Sequence, residues 1–477
     1  MSLLSLLILI VASLIIGWVI PTRWRAYSII FISVITIYWL QPGLPIRNLD
    51  FWLPTTSIIL TVLVWLITQQ ISHGDEKSRK LFLGVGLFTV SIILLISLTR
   101  YTGIACCITP ARPPPITHVL FGLAVAGLLA LLPVMIPNTR RFLGIIAICI
   151  IIGFLIILKS PILLTAASAN LRNLTGQPAD LASSQDVIWF GFSFLSFRLL
   201  HTLFDYRSGK LPAYRLDEFV IYTLFFPALP AGPIDRSQRF INDLRNPPTD
   251  NKKNRIEGTW RIIFGIFKKF VLADLLALIA LNSRNSHEVN STLWLWLILY
   301  AYALMIYFDF SGYTDVAIGM GKYMGISLPE NFNQPYLKQN LTSFWNSWHI
   351  TLAQWFRAYY FNPVTRFLRS RPYKIPVWLI ILISQVSTMF LIGIWHGITW
   401  NFAIWGLWHG AGLFINNRWT DWMRPRFTSQ GNPNWINYFL HFGNWFITFN
   451  FVALGWVWFA LPSPEQSLEV FRKLFGF

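Results

Sequence analysis

Long apolar runs, separated by short loops that carry basic residues, dominate the first third of the chain. The first twenty residues are almost wholly apolar. No basic stretch precedes them and no small-residue cleavage site follows, so they predict a retained helix rather than a signal peptide. A membrane-spanning helix needs about 20 mostly apolar residues. Five further runs therefore predict spanning helices, at about 27–41, 52–69, 81–98, 117–136 and 142–158.

The pattern becomes less uniform after residue 186. Three less purely apolar segments lie at about 187–202, 216–233 and 260–282. Proline and glycine at membrane depth are tolerated only inside protein or beside a watery cavity, so the stretch FFPALPAGP (225–233) predicts a re-entrant segment that lines a cavity. More apolar helices are predicted at about 292–309, 376–394, 399–416 and 438–460. The predicted fold is an all-α polytopic membrane protein with roughly eleven spans and one or two re-entrant or interfacial segments.

Composition supports this interpretation. Hydrophobic residues make up 55% of the 477 residues and charged residues only 12%, whereas soluble proteins carry roughly 25% charged residues. The formal charge of +18 raises the question of nucleic-acid binding. The basic residues lie in loops between apolar segments, as in cytoplasmic loops, so we expect the lipid bilayer and no nucleic acid as partner. The cysteines Cys106, Cys107 and Cys149 form no metal or disulfide spacing, and we expect no metal.

The charges of the connecting loops predict an orientation. Loops one, three and five are shorter and more densely basic than loops two, four and six. The odd loops carry Arg23, Arg25, Lys77, Arg79, Lys80, Arg140 and Arg141, and the even loops carry Arg47, Arg100, Arg112, Lys159 and Arg172. The positive-inside rule then places the N-terminus outside the plasma (inner) membrane and the basic stretch 235–261 in the cytoplasm.

Polar residues inside apolar segments are costly and usually functional, and they concentrate between about 300 and 410. The stretch YFDFSGYTDVAIG (307–319) contains Asp309 and Asp315. A purely structural role, in which each aspartate caps a helix or pairs with a nearby cation, is favoured over a functional one for both. Asp309 stays a candidate supporting residue of a site.

The stretch SFWNSWHITLAQWFRAYY (343–360) holds the first candidate histidine. If the stretch is helical, Trp345, His349, Leu352 and Phe356 share one face. Such a stripe is most often plain packing. The ring nitrogens of His349 still need partners, which Asn346 or a backbone carbonyl could supply.

The stretch GIWHGITWNFAIWGLWHG (393–410) holds two more histidines. His396 lies beside Trp395 and Gly397 in an apolar helix. Imidazole suits proton transfer near neutral pH, and an apolar wall keeps it uncharged, so His396 is a candidate general base for an attacking hydroxyl. The alternative is a hydrogen-bonded histidine that only packs helices together. His409, which lies 13 residues later, is a weaker candidate.

At these stretches the sequence resembles the membrane-bound O-acyltransferase (MBOAT) superfamily, in the bacterial branch with the alginate O-acetylation proteins and the D-alanine transfer protein of teichoic acid synthesis. The resemblance runs from about 187 to 415. Further stretches that carry it are GFSFLSFRLLHTLFDYRSGK (191–210), FFPALPAGPIDR (225–236), GIFKKFVLAD (265–274) and YFDFSGYTDVAIGMGKYMGISLPENFNQPY (307–336). The family's two histidines fall on His349 and His396.

The resemblance implies a bowl-shaped ring of helices around a tunnel, in which a cytoplasmic acyl donor meets an acceptor from the other side. It implies that His396 is the catalytic base and that His349 is essential. It divides the chain into N-terminal transmembrane helices (1–186), a catalytic core (187–420) and a C-terminal helix and tail (421–477). The chain departs from the family at Ala358, where an aspartate is usual after the arginine, and at Val364-Thr365-Arg366, where Leu-Gly-Gly is usual.

The sequence therefore favours an O-acyltransferase that acetylates a cell-envelope or secreted polysaccharide. The expected donor is a thioester, either acyl-CoA or an acyl carrier protein, with no bound cofactor, and an extracytoplasmic acyltransferase is a candidate partner. Indole N–H groups of Trp395 or Trp348, or the Asn346 amide, could stabilise the oxyanion. Two alternatives stay open: a transporter or flippase without chemistry, and an inactive family member that acts as a scaffold.

Overall fold

The computed structural model describes residues 1–69, 76–102, 108–247, 251–423 and 434–476. Within these ranges the chain is helical, with a single isolated antiparallel bridge between Phe332 and Trp348. The predicted all-α fold class is confirmed. Cys106 and Cys107 lie outside the described residues, and so do the side chains of Lys77 and Arg79.

All six apolar runs predicted in the first third of the chain are helices. The structure adds α7, which the sequence did not predict and which Ser160 caps by accepting the N–H of Leu163. The helices up to residue 245 are α1 (Leu3–Trp18), α2 (Thr22–Trp39), α3 (Leu49–Thr68), α4 (Glu76–Leu98), α5 (Ile116–Met135), α6 (Arg140–Lys159), α7 (Pro161–Leu174), α8 (Phe192–Arg207), α9 (Leu216–Leu224) and α10 (Ser237–Arg245).

The later helices differ more from the prediction, because α14 continues far beyond residue 309 and the stretch 343–360 is broken. They are α11 (Asn251–Phe267), α12 (Asp274–Ala277), α13 (Asn285–Glu288), α14 (Thr292–Tyr323), α15 (Leu341–Trp345), α16 (Ile350–Phe356), α17 (Asn362–Arg369), α18 (Val377–His396), α19 (Trp400–Met423), α20 (Asn434–Ala460) and α21 (Pro464–Phe475). Two π-helical turns, Lys268–Ala273 and Arg357–Phe361, join α11 to α12 and α16 to α17.

Several helices have the length and composition of membrane spans. Among the described residues six qualify: Leu49–Thr68, Lys80–Tyr101, Ile116–Met135, Arg140–Lys159, Thr292–Tyr323 and Val377–His396. Helix α1 is apolar but has only 16 residues, just below the range of about 17–25 for a spanning helix. The total of roughly eleven spans stays a prediction.

The described chain forms two compact units. The first comprises Met1–Ile262 and Val316–Pro329, and the second Ile263–Asp315 and Glu330–Phe477. In the first unit α2 and α3 pack against α9, and α3 and α6 pack against α8. In the second unit α18 and α19 form a closely packed helical hairpin, with α20 against α19. Every candidate site residue lies in the second unit.

The proline-rich segment 225–233 in the first unit is non-helical, because α9 ends at Leu224. Most of its residues are buried. The buried guanidinium of Arg198 donates hydrogen bonds to three carbonyl oxygens, those of Tyr222 (3.1 Å), Thr223 (3.0 Å) and Ala228 (3.2 Å). Arg198 therefore satisfies carbonyls that a broken helix leaves without partners. The sequence predicted one apolar segment over 216–233, but only its first part, Leu216–Leu224, is helical. The cavity that residues 225–233 were expected to line stays a prediction.

Glycines allow the close approach of α18 and α19. A Cβ atom on Gly393 would lie 2.2 Å from the carbonyl oxygen of Phe402, and one on Gly406 would lie 2.6 Å from that of Met389. Small residues at such contacts let helix backbones approach closely. The hairpin fixes the end of α18, where His396 lies, against the first turns of α19.

Candidate active site

The segment that presents His349 is not the continuous helix that the sequence predicted. Helix α15 ends at Trp345 and α16 begins at Ile350, and His349 precedes α16 with a left-handed backbone (φ 43°, ψ 53°). The N–H of Ile350 donates to the carbonyl oxygen of Asn331 at 2.9 Å, and that of Asn333 to the carbonyl of Ser347 at 3.0 Å. The helical stripe through His349 is therefore wrong, because pairing with residues 331–333 replaces the helical hydrogen bonds.

The partner of the His349 ring is also different from the one expected. The imidazole is buried, and its Nδ1 lies 3.2 Å from Oδ1 of Asn331. Asn346, the amide named from the sequence, is exposed and accepts a hydrogen bond from Arg357 at 2.6 Å. Asn346 therefore holds Arg357, and Asn331 holds His349.

His396 is the last residue of α18 and is half-buried among aromatic rings. Its ring centroid lies 4.6 Å from that of Trp395, 5.5 Å from that of Trp405 and 4.9 Å from that of Phe459. The apolar wall expected around this imidazole is confirmed. His396 was expected to lie within an apolar helix that includes Gly397. Instead α18 ends at His396, and the backbone of Gly397 is extended.

Trp395 brings the two histidines into one cluster. Its ring contacts His396, as above, and its centroid lies 6.4 Å from the ring of His349. On another side, the ring of Phe310 lies 4.7 Å from that of His349. We call these residues, with Trp405 and Phe459, the histidine cluster. Two motifs far apart in sequence thus meet in one aromatic environment.

His409 has the surroundings of a packing residue. It is fully buried, and its ring centroid lies 5.1 Å from that of Trp345 and 4.9 Å from that of Trp405. Neither ring nitrogen has a hydrogen-bond partner among the residues that the structure describes. A Cβ on Gly455 would lie 2.6 Å from its Nε2, so the imidazole is closely packed against α20.

The two aspartates of α14 pair with lysines at the start of the first π-helical turn. Nζ of Lys268 lies 2.6 Å from Oδ2 of Asp315. Lys269 pairs with Asp309, which is about half exposed. The structural interpretation of both aspartates, pairing with a nearby cation, is confirmed by these contacts. A Cβ on Gly312 would lie 2.7 Å from the carbonyl oxygen of Gly265, which keeps the two helices close enough for both pairs.

Residues 134–454, more than half of the chain, match the model of MBOAT, the membrane-bound O-acyltransferase family. The chain belongs to this family. Together with its apolar helices, membership makes this MBOAT chain a multi-pass membrane protein.

Three relatives show the breadth of the match. This MBOAT chain is 34% identical over 290 residues to a probable alginate O-acetylase of Pseudomonas aeruginosa, covering 60% of this chain and 51% of that protein. It is 34% identical over 263 residues to a peptidoglycan O-acetyltransferase of Helicobacter pylori (54% and 46%). It is 33% identical over 241 residues to a teichoic acid D-alanyltransferase of Streptococcus thermophilus (48% and 57%). The chain spans about half the length of the curated relatives that it matches.

A small cavity of the MBOAT chain lies one helical turn from each histidine of the cluster. Its volume is about 140 Å³. Ala353, whose N–H donates to the carbonyl of His349, and Ile392, one turn before His396, both line it. Trp345 and Met389 contribute apolar walls, and exposed Arg357 contributes a cation. The cavity therefore combines an apolar interior with a positive charge.

Asn331, Trp405 and Phe459 were not predicted from the sequence. Asn331 lies within the family stretch 307–336, where it is the only amide that the structure places fully inside the protein, among the described residues of that stretch. The available signal was an amide two residues after Pro329 in that stretch, and its burial is a finding of the structure. Trp405 and Phe459 carried no such signal, because apolar aromatic residues fill every helix around them.

Proposed function

We propose that this protein is a membrane O-acyltransferase that moves an acyl group, an acetyl group in the first instance, from a cytoplasmic thioester to a hydroxyl of a cell-envelope or secreted polysaccharide. The observation that carries the proposal is the meeting of His349 and His396 at Trp395. Family membership supports it as well. The names of the relatives describe transfer to alginate, peptidoglycan and teichoic acid, which favours a polymeric acceptor.

The proposed chemistry needs a base and an electrophile. His396 takes the proton of the attacking hydroxyl, the oxygen bonds to the thioester carbonyl carbon, and the carbon–sulfur bond breaks. The proton on His396 then passes to the departing thiolate. Aromatic rings of Trp405 and Phe459 pack around His396, and a positioned base typically contributes about 10²–10⁴-fold to the rate.

The donor is proposed to approach from the cytoplasm. Exposed Lys252 and Lys253 lie on α11, within the stretch 235–261 that the positive-inside rule places there. A basic surface attracts an anionic donor such as a CoA thioester or an acidic carrier protein. An extracytoplasmic acyltransferase is the proposed partner, and the inner membrane with an external N-terminus is the proposed location.

A scaffold without activity is the second candidate, because Ala358 replaces the usual aspartate beside Arg357. The contact between Arg357 and Asn346 argues against it, since the guanidinium keeps a defined partner without that acid.

The deciding experiment is mass spectrometry of envelope polysaccharides from wild-type cells, deletion cells and deletion cells that express the His396→Ala protein. We expect an acyl substituent that disappears on deletion and returns only with the wild-type gene. Full return with inserted His396→Ala protein would contradict an enzymatic role and favour a transporter or scaffold.

A further inference from the structure

Asn331 is fully buried, and its side-chain oxygen is the meeting point of three hydrogen bonds. Oδ1 lies 3.2 Å from Nδ1 of His349. The same oxygen accepts the backbone N–H of Thr351 at 3.2 Å and its hydroxyl at 2.9 Å. A backbone N–H can only donate, so the Asn331 atom that faces it is the oxygen and not the amide nitrogen.

This oxygen determines which nitrogen of His349 carries the proton. A carbonyl oxygen only accepts hydrogen bonds, so Nδ1 of the neutral ring is the donor and Nε2 carries the lone pair. Nε2 is buried, and it has no hydrogen-bond partner among the residues that the structure describes. A buried acceptor without a partner costs stability. His409 also lacks hydrogen-bond partners among the described residues. Of these two rings, only that of His349 is oriented by a hydrogen bond and contacts the indole that packs on His396, so its Nε2 points to a ligand.

The backbone around His349 is also held in an unfavourable conformation. The left-handed φ of 43° is uncommon for a residue with a side chain. Asn331 maintains it from both its backbone and its side chain, through Ile350 and Thr351. Such conformations persist where surrounding contacts over-determine them, and they concentrate at functional sites.

We propose that Asn331 is a positioning residue that holds His349 in the tautomer protonated on Nδ1, so that Nε2 accepts a hydrogen bond from the acceptor sugar. The bond comes from a hydroxyl next to the one that attacks, because His396 takes the proton of the attacking hydroxyl. The identity of the ligand, an acceptor sugar, rests on the proposed function. The tautomer of His349 rests on its contact with Asn331 alone. Asn331 acts through His349 and touches no reacting atom.

The tautomer is tested by ¹⁵N NMR of histidine-labelled full-length protein in lipid nanodiscs, with the His349 signals identified by their loss in His349→Gln. We expect a protonated Nδ1 and a bare Nε2 in the wild type, and a mixture of tautomers in Asn331→Leu. Ser347→Ala is the matched control, because it removes a part-buried hydrogen bond to the carbonyl of Ser343 in the same segment and keeps both Asn331 and His349. A protonated Nε2 in the wild type, or an unchanged spectrum in Asn331→Leu, would overturn the proposal.

Asn331→Asp keeps the accepting oxygen and adds a negative charge, so it tests the assignment where Asn331→Leu fails to fold. A carboxylate beside Nδ1 favours the imidazolium, and His349 should take up its second proton at higher pH in the NMR titration. As the pH is lowered, Asn331→Asp should therefore lose acyl transfer at a higher pH than the wild type does, because a protonated Nε2 cannot accept a hydrogen bond. An unchanged titration in the folded variant would count against the proposal.

Kinetics separates this proposal from the proposed function. Asn331→Leu should lose about tenfold to a hundredfold in kcat/KM for the acceptor, as for other groups that orient a functional imidazole, while KM for the donor should change little. Wild-type kcat/KM for the acceptor in the folded variant would contradict the positioning role. If the wild type shows the expected tautomer but no polysaccharide depends on the chain, the proposed function fails and the tautomer assignment stands.

Discussion

The indole of Trp395 and the imidazole of His349 come from motifs separated by the whole of α16 and α17, yet their ring centroids lie 6.4 Å apart at an interplanar angle of 68°. The next residue, His396, packs on the same indole at 4.6 Å. A substrate that reaches one imidazole is therefore close to the other, and the two histidines are expected to act as a unit.

His396→Ala should lose at least about a hundredfold in acyl transfer while the protein inserts and expresses normally, because a general base supplies about 10²–10⁴-fold. His349→Ala should also be severely impaired. Residues that act as a unit are non-additive, so the double variant should be little worse than His396→Ala. Rates per folded protein, measured by polysaccharide acylation, check this.

His409→Ala is the matched control for the histidine variants, because His409 is buried among rings outside the histidine pair. It should keep most of its activity and lose stability instead. A loss of activity as large as that of His396→Ala, without a lower unfolding temperature, would instead place His409 in the catalytic machinery.

Gly393→Ala should separate α18 from α19. Its Cβ would lie 2.2 Å from the carbonyl oxygen of Phe402, and overpacking of this kind costs about 1–3 kcal/mol or more. Gly443→Ala is the control, since nothing lies within 4 Å of its Cβ. We expect a lower thermal midpoint in detergent and reduced acylation for Gly393→Ala alone. Equal midpoints for the two variants would refute the close contact.

Removing one member of the pair between Lys268 and Asp315 should be costly, because it leaves a charge in partly buried surroundings. Asp315→Leu is expected to lower the stability by about 3 kcal/mol, and the double change with Lys268→Met should recover most of it. Asp309→Leu is the comparison, because Asp309 is about half exposed and should cost less. The prediction fails if the double variant is no more stable than Asp315→Leu in thermal unfolding.

Neutralising Lys252, Lys253 and Arg255 together should raise the apparent KM for an anionic donor and weaken its salt dependence, because their long-range attraction is lost. Acetyl-CoA is the first donor to test, with purified protein over a range of ionic strength. Unchanged kinetics in a correctly inserted variant would mean that these cations serve topology alone.

The orientation of the chain is tested by a single cysteine placed at residue 252 in a background without the native cysteines. A membrane-impermeant maleimide should fail to label it in intact cells and should label it after permeabilisation. A cysteine at residue 2 should show the opposite behaviour. Labelling of residue 252 in intact cells would reverse the predicted topology.

Local pattern determined the apolar helices of the first third of the chain and the family to which the chain belongs. Apolar runs of spanning length became α3 to α6, because backbone groups in an apolar setting are satisfied only within a helix. The motifs around His349 and His396 are contiguous in sequence, so the family could be recognised without coordinates.

Tertiary structure decided how those residues are held. Asn331 replaced Asn346 as the partner of His349, because pairing with residues 331–333 turns the backbone at His349 out of the helical region. Lys268 pairs with Asp315, which is 47 residues away in the chain, because the close contact between their helices brings the two side chains together. Helical periodicity reports only neighbours along the chain, whereas the hydrogen bonds that orient a site come from segments that meet only when the chain folds.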